Sequence, residues 1–203
     1  PAQRILVSTS AAALPDVEAL TRHALATGAH GCLMLPPFYL KGVPDEGVID
    51  AYRYLIDRVA DARLRLYLYR IPQVTAVGLS QHVIATLKRL YPDTIVGIKD
   101  SQCELAHSLA LADAFMPGLT VHVGNEPDLP ALGRRGSTGA VSGLANFMPR
   151  LVGRLRRLHS EVEDVREDLG DGDVHVAGGA QGEPRPAVLQ DDGVAGGDGG
   201  QDL

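Results

Sequence analysis

The stretch Thr94-Ile-Val-Gly-Ile-Lys99-Asp-Ser101 contains an apolar run that ends on a lysine. A similar run, Leu64-Arg-Leu-Tyr-Leu-Tyr69, lies upstream and ends on a tyrosine. Both runs are typical of buried strands, and the carboxyl ends of parallel strands commonly carry function. A lysine amine attacks a carbonyl only when it is uncharged, and burial favours the uncharged form. The pair therefore predicts imine chemistry on a ketone. The alternative for a lone lysine at a strand end is a side chain that extends along apolar surface and places its charged end in solvent.

Six β-rich runs alternate with helical patterns along the first 160 residues. The runs cover residues 4–9, 32–35, 64–71, 94–99, 119–124 and 139–142. This alternation predicts βαβ units and a parallel sheet, which an open doubly wound sheet and a barrel both satisfy. Convergence of the strand ends on one face favours an α/β fold of the (β/α)8 TIM-barrel type. Six strands do not close an eight-stranded barrel, so we expect an incomplete one with about six βα units.

Local signals mark where the helices begin. Pro44, followed by two acidic residues, predicts a helix start, and Ser80 predicts an N-cap. Ser101-Gln-Cys-Glu104 is the pattern of a capping box for the helix after Lys99. Asn146 is expected to cap the last helix, whose apolar stripe continues to Leu158.

Charge divides the chain near residue 160. Residues 1–160 carry 17 Lys+Arg and 13 Asp+Glu, whereas residues 161–203 carry 2 and 12. The second stretch is rich in Gly and Asp and lacks aromatic residues, so it cannot bury enough apolar surface to offset its ordering entropy. We predict a domain at 1–160 and an acidic tail at 161–203, either disordered or translated in a shifted reading frame.

Several classes of protein find no support in the composition. The sequence shows no charge-free apolar run of membrane-spanning length, no secretory leader and no basic patch interleaved with aromatic residues for nucleic acid. Cys32 and Cys103 provide no disulfide framework, which predicts a cytoplasmic protein. The chain begins on Pro1 without an initiator methionine, which indicates a fragment or a processed product.

Two further site signals in the sequence are weak. Cys103 and His107 are spaced to share one helix face, and His122 falls in a strand, but a metal site needs at least three convergent ligands, so none is predicted. The glycine-rich segment 133–139 precedes a strand instead of following one. That placement is typical of an ordinary helix-to-strand connection and disfavours a phosphate loop.

Four segments together carry a family resemblance. They are Leu35-Pro-Pro-Phe-Tyr39-Leu-Lys-Gly42, Leu68-Tyr69-Arg-Ile-Pro72, Val96-Gly-Ile-Lys99-Asp-Ser101 and Gly139-Ala-Val-Ser-Gly-Leu-Ala-Asn146. In order and spacing, across roughly residues 3–160, the chain resembles the dihydrodipicolinate synthase/N-acetylneuraminate lyase family. The resemblance implies a (β/α)8 barrel and a class I aldolase-type lyase. It also implies action on pyruvate or a related 2-oxo acid through a covalent imine, without a cofactor.

The same resemblance implies a role for each matching residue. Lys99 matches the Schiff-base lysine, and Tyr69 matches the tyrosine that relays protons to and from the substrate. Tyr39 matches a tyrosine that completes the relay across a tight subunit interface, which implies a homo-oligomer for the full-length form. Val141 falls where a backbone carbonyl faces the lysine, and Gly124 where the chain lines the acceptor side of the pocket, so both are predicted to bind substrate.

Two departures from the family pattern shape the expected function. The chain is expected to lack the first two βα units, including the loop that binds the substrate carboxylate. Synthases of this family usually place an arginine two positions after the proline that here is Pro72, whereas this chain has Gln73-Val74. That difference favours a relative acting on another aldehyde or a 2-keto-3-deoxy sugar acid. Glu126 suits either a hydroxyl-binding role or an ordinary carboxylate in a first helical turn.

Three hypotheses follow for the function of the chain. The first is an imine-forming lyase that makes or cleaves 2-oxo acids derived from pyruvate. The second is a truncated fragment that keeps Lys99 and Tyr69 but does not turn over. The third is an interaction subunit that uses an open sheet edge to join an intact homologue.

Overall fold

The computed structural model describes residues 5–137 and 139–157. Five parallel strands, in the order β1-β2-β3-β4-β5, form one sheet. The strands are β1 Leu6–Ser8, β2 Gly31–Met34, β3 Leu66–Arg70, β4 Ile95–Asp100 and β5 Thr120–Val123. The helices are α1 Leu14–Ala26, α2 Asp45–Val59, α3 Pro72–Thr75, α4 Gln81–Leu90, α5 Leu105–Phe115, α6 Leu129–Gly133 and α7 at residues 149–157. The predicted tail at 161–203 and Leu158 lie outside the described residues, so their predictions stay open.

Strand order decides between the two architectures left open by the sequence. Each strand pairs in parallel with the next one along the chain, and the order never reverses. A doubly wound sheet reverses its order at a switch point, whereas a (β/α)8 barrel does not. The main apolar core lies on one face of the sheet, where residues of α1, α2, α4 and α5 pack against the strands. The fold is therefore that of an incomplete (β/α)8 barrel.

The sixth predicted strand is much shorter than the sequence pattern indicates. Within 139–142 the structure forms an isolated parallel bridge between Val123 and Ala140, and the Val141 amide donates to the Val123 carbonyl at 3.0 Å. Gly139 begins this segment and Gly143 follows it, and glycine weakens a strand because it offers no side chain to pack. The bridge still brings Val141 beside the carboxyl end of β5.

Two predicted helix starts are confirmed. The helix α2 begins at Asp45, directly after Pro44. Its apolar face is buried, with members Val48, Tyr52, Leu55, Ile56 and Val59. The Ser80 hydroxyl accepts a hydrogen bond from the Val83 amide at 3.1 Å and so caps α4. Both helices begin where local capping and the apolar period agree.

Two predicted caps are wrong. The helix α5 begins at Leu105, and its N-cap Glu104 makes no side-chain capping bond. Ser101 still belongs to the sheet region, since its amide donates to the Arg70 carbonyl at 2.8 Å, and Cys103 adopts a left-handed φ of +64° that interrupts any helix. Asn146 lies in the 3-10 turn Leu144–Asn146, and α7 begins only at residue 149, a proline suited to a first helical position.

Side chains alternate between the two faces of the sheet, as the period of a strand requires. On β3, Leu66 and Leu68 are fully buried against the helices. Tyr67 and Tyr69 therefore point to the other face, the interior of the incomplete barrel. Among the described residues, no helix is both long and apolar enough to cross a membrane.

Gly97 is required by the packing of that interior face. A Cβ at this position would overlap the Tyr67 ring and would lie 2.8 Å from the Thr120 carbonyl oxygen. The oxygen belongs to the backbone of the neighbouring strand, so it cannot move aside without distorting the sheet. The glycine in the middle of β4 thus leaves room for an aromatic ring on β3.

We predict that Gly97→Ala lowers the free energy of unfolding by about 1–3 kcal/mol, because the added methyl overpacks the interior face. Gly78→Ala is the matched control, since nothing lies within 4 Å of a Cβ there. The control should change stability by less than about 1 kcal/mol. Urea unfolding of both variants measures the difference, and equal midpoints would contradict this account of Gly97.

Candidate active site

Lys99 and Tyr69 lie side by side at the carboxyl edge of the sheet. The two residues are direct partners in the parallel register of β3 and β4. The Lys99 Nζ atom lies 4.1 Å from the centroid of the Tyr69 ring, within the range of a cation–π contact. Both side chains are half-buried and face the barrel interior. The structure thus brings together the two residues that the sequence marks for imine chemistry.

A buried polar network fixes the chain immediately after this pair. Asp100 follows Lys99, and its side chain is 0% exposed. One carboxylate oxygen lies 3.3 Å from an Arg70 guanidinium nitrogen and accepts from the Gln102 amide at 3.2 Å. The other accepts from the Ser108 hydroxyl at 2.7 Å. A buried carboxylate needs such partners to offset its desolvation, and here they tie β3, β4 and α5 together behind the site.

Gly124 lies at the end of β5, close to the loop that follows Lys99. Its amide donates to the Asp100 carbonyl at 2.7 Å. A Cβ at Gly124 would overlap the Ser101 hydroxyl and would lie 2.9 Å from the Ser101 Cβ. This close approach explains by packing alone why a glycine occupies the position. The predicted role of Gly124 in substrate binding stays a prediction.

Comparison with known proteins places this site in a family. The model of the dihydrodipicolinate synthetase family matches residues 3–167. The chain belongs to this family. An uncharacterized DapA-like lyase of Chloroflexus aurantiacus is 34% identical over 149 residues, which cover 73% of this chain and 49% of that protein. The chain spans about half the length of the curated relatives it matches first.

Solved structures agree with the family assignment. Dihydrodipicolinate synthase from Agrobacterium tumefaciens superposes with a TM-score of 0.72 at 29% identity, covering 81% of this chain and 60% of that one. The prophage protein YagE of E. coli, a member of the dihydrodipicolinic acid synthase family solved with pyruvate, gives a TM-score of 0.69 at 26% identity. That match covers 80% of this chain and 53% of YagE. The five strands seen here therefore correspond to part of a synthetase-family barrel.

The structure places Tyr39, the third predicted catalytic residue of this synthetase-family chain, on the surface. Tyr39 lies in the loop between β2 and α2 with 74% of its surface exposed. The loop is held by Lys41, whose ammonium donates to the carbonyls of Phe38 at 2.7 Å and Thr75 at 3.1 Å. The predicted relay through Tyr39 runs across a subunit interface, and it stays a prediction for a single chain.

The loop after β5 follows Gly124, the residue predicted to line the acceptor side of the pocket. Glu126 begins the 3-10 turn Glu126–Asp128, and its carboxylate accepts from the Leu144 amide at 3.4 Å. The Ser142 hydroxyl, and to a smaller extent backbone amides, hold the pKa of Glu126 below its usual value. Of its two possible roles, the bond from the Leu144 amide favours a carboxylate that joins the loop after β5 to the segment after Val141.

The two residues after Pro72 face different surroundings. The Gln73 amide donates to the Ser101 carbonyl at 2.5 Å, which links the loop after β3 to the loop after Lys99. Val74 is exposed. Neither side chain offers the positive charge that would bind a second carboxylate at this position.

Cys103, His107 and His122 do not gather into a metal site. Cys103 precedes α5, so it does not share a helix face with His107 as the sequence spacing indicated. Within the ranges 5–137 and 139–157, no three His, Cys, Asp or Glu side chains are grouped as a metal would require.

Sequence reasoning missed an aromatic cluster on the interior face. The Tyr67 and His122 rings stack with centroids 5.9 Å apart and an interplanar angle of 26°. His30 lies on the other side, with its Nε2 atom 3.4 Å from the Tyr67 hydroxyl. Burial lowers the pKa of His122, and its contact with the Gly139 carbonyl only partly opposes that shift. The available signal was the period of β3, which places Tyr67 on the same face as Tyr69.

Proposed function

We propose that Lys99 forms a Schiff base with pyruvate or a related 2-oxo acid, in a lyase of the class I aldolase type. The observation that carries this proposal is the position of Lys99 Nζ, 4.1 Å from the centre of the Tyr69 ring. Membership of the synthetase family supports it, as does a relative solved in complex with pyruvate. No cofactor is needed, because the protonated imine is itself the electron sink.

The reaction would proceed in steps that use only these side chains and water. The uncharged Lys99 amine adds to the ketone carbon, and loss of water leaves an imine that is protonated at nitrogen. In that loss of water the Tyr69 phenol gives its proton to the departing hydroxyl, and the resulting phenolate then accepts a proton from the carbon adjacent to the imine, which gives an enamine. The enamine carbon bonds to an aldehyde, or in the reverse direction that carbon–carbon bond breaks. Hydrolysis of the imine releases the product and restores the amine.

The other lysines of the chain are engaged differently. The chain has three lysines. Lys41 donates to two backbone carbonyls, and Lys88 donates to the carbonyls of Pro92 at 2.6 Å and Ile95 at 3.0 Å. Their amines serve to hold loops. Lys99 instead lies against an aromatic ring on the interior face, where a ketone would meet both the amine and the phenol.

The acceptor proposed for this lyase is an aldehyde without a second carboxylate, such as a sugar-derived aldehyde that yields a 2-keto-3-deoxy sugar acid. Two observations support this choice over the synthase reaction. Val74 is exposed, and the Gln73 amide already donates to the Ser101 carbonyl. We also propose that the full-length form is a homo-oligomer, which would give the exposed Tyr39 a partner surface.

The competing proposal is a chain that keeps the lysine but does not turn over, either as an incompetent fragment or as an interaction subunit. It is favoured by the open five-stranded sheet and by the match to only about half of the first curated relatives. The trapping experiment below separates it from the lyase, because a pocket that cannot bind a 2-oxo acid gives no adduct.

Borohydride reduction in the presence of pyruvate should attach the substrate to Lys99 in the native chain, since reduction converts the imine into a stable amine. Peptide mapping by mass spectrometry identifies the site among three lysines. Lys99→Arg should abolish the adduct while keeping a cation over Tyr69, and Lys88→Arg should leave it unchanged. A folded native sample without an adduct would favour the competing proposal.

Replacing Tyr69 by phenylalanine should slow deuterium exchange at the methyl group of pyruvate in D2O about 100-fold or more, the usual contribution of a general acid–base group. The ring under Lys99 remains, so trapping of the imine should persist. Tyr54→Phe is the control, because Tyr54 lies on the exposed side of α2. Proton NMR of pyruvate measures the exchange, and an unchanged rate in Tyr69→Phe would remove the phenol from the mechanism.

A further inference from the structure

The Tyr67 ring covers the interior face of the sheet directly below Lys99. Tyr67 pairs in register with Gly97, which lies two residues before Lys99 on the same face of β4. A Cβ at Gly97 would overlap the Tyr67 ring, and a Cβ at Gly31 on β2 would lie 2.9 Å from it. The ring thus occupies the space left by glycines on both neighbouring strands, and Tyr67 is only 5% exposed.

Contacts at both ends hold this ring in place. Toward β5 it stacks on His122, whose Nδ1 atom lies 3.4 Å from the Gly139 carbonyl oxygen. A carbonyl oxygen only accepts, so this contact assigns the imidazole proton to Nδ1. Toward β2 the Tyr67 hydroxyl lies 3.4 Å from His30 Nε2. We call Tyr67 and His122 together the aromatic floor.

The aromatic floor matters because a lysine side chain is long and flexible. Four rotatable bonds give it many rotamers, and most of them would carry the amine away from Tyr69. His122 is the register partner of Lys99 on β5, so both side chains leave the sheet on the same face. With Tyr67 filling the layer below and His122 beside Lys99 on the next strand, the Lys99 chain is directed toward the carboxyl edge of the sheet, on the side where Tyr69 lies.

We propose that Tyr67, supported by His122, is a positioning residue that holds the Lys99 amine over the Tyr69 ring. The proposal rests on the proposed function of Lys99 as the imine-forming residue. A displacement of the reacting atom by about 1 Å can cost up to 100-fold in rate, so loss of the floor should slow imine formation. Tyr67 itself need not touch the substrate.

The test uses NMR of the full chain with 13C-labelled lysine, which gives signals from only three lysines. Protons above an aromatic ring are shifted upfield, so the Lys99 side-chain signals should show such a shift that disappears in Tyr69→Leu. Tyr67→Leu should also lose this shift and should slow trapping with pyruvate about 10-fold or more. Tyr67→Phe keeps the ring and should retain both the shift and the rate.

Tyr52→Leu is the matched control for general damage to the core. Tyr52 is also buried and also hydrogen-bonded, through its hydroxyl to the Met34 carbonyl at 3.0 Å, but it lies among the helices behind the sheet. It should lower stability and leave the Lys99 shift intact. If Tyr67→Leu does not fold, His122→Ala removes the other half of the floor and should reduce the shift by itself.

The outcomes separate this inference from the proposed function. If Tyr67→Leu folds and keeps the native Lys99 shift, the positioning role is overturned, whether or not pyruvate forms an adduct. Where Tyr67→Leu does not fold, the same result in a folded His122→Ala variant overturns it. If the native chain shows the shift but gives no adduct, and Tyr67→Leu loses the shift, the aromatic floor is supported while the proposed lyase is refuted.

Discussion

The in-register pairing of β3 with β4 is the constraint on which the site depends. Because the two strands are parallel and directly paired, Tyr69 and Lys99 leave the sheet side by side and on the same face. A slip by one residue would turn one of them toward the helices, since side chains alternate along a strand. Gly97 secures this register from the interior side, and the contact between Asp100 and Arg70 secures it from the helix side.

The two faces of the sheet have different roles, since one holds the apolar core and the other carries the candidate site. The helix side contains the large apolar core and the buried carboxylate of Asp100, which together fix the ends of the strands. The interior side carries the amine and the phenol, with the Tyr67 ring in the layer below them and the His122 ring stacked on Tyr67 from the next strand. A reactive amine needs a rigid support that does not itself bind the amine tightly, and an aromatic layer supplies this better than a carboxylate would.

Much of this arrangement follows from the sequence, and the exceptions have physical causes. Lys99 and Tyr69 could be found because each ends an apolar run, and strand ends of a parallel fold converge. The failure of the predicted capping box at 101–104 could not be foreseen from the local sequence. The left-handed backbone at Cys103 and the hydrogen bond from the Ser101 amide to the Arg70 carbonyl override the local preference for a helix. The role of Tyr67 depends on glycines in two other strands, which no local pattern connects to it.

Imine formation at Lys99 is best measured in a chain in which Lys99 is the only lysine. Lys41→Arg and Lys88→Arg give such a chain, which is then labelled with 15N-lysine, mixed with pyruvate carrying 13C at its ketone carbon and reduced with borohydride. If Lys99 forms the imine, the folded product shows a one-bond 13C–15N coupling. A folded chain that shows no such coupling would contradict the claim that the paired strands present Lys99 as an imine-forming amine.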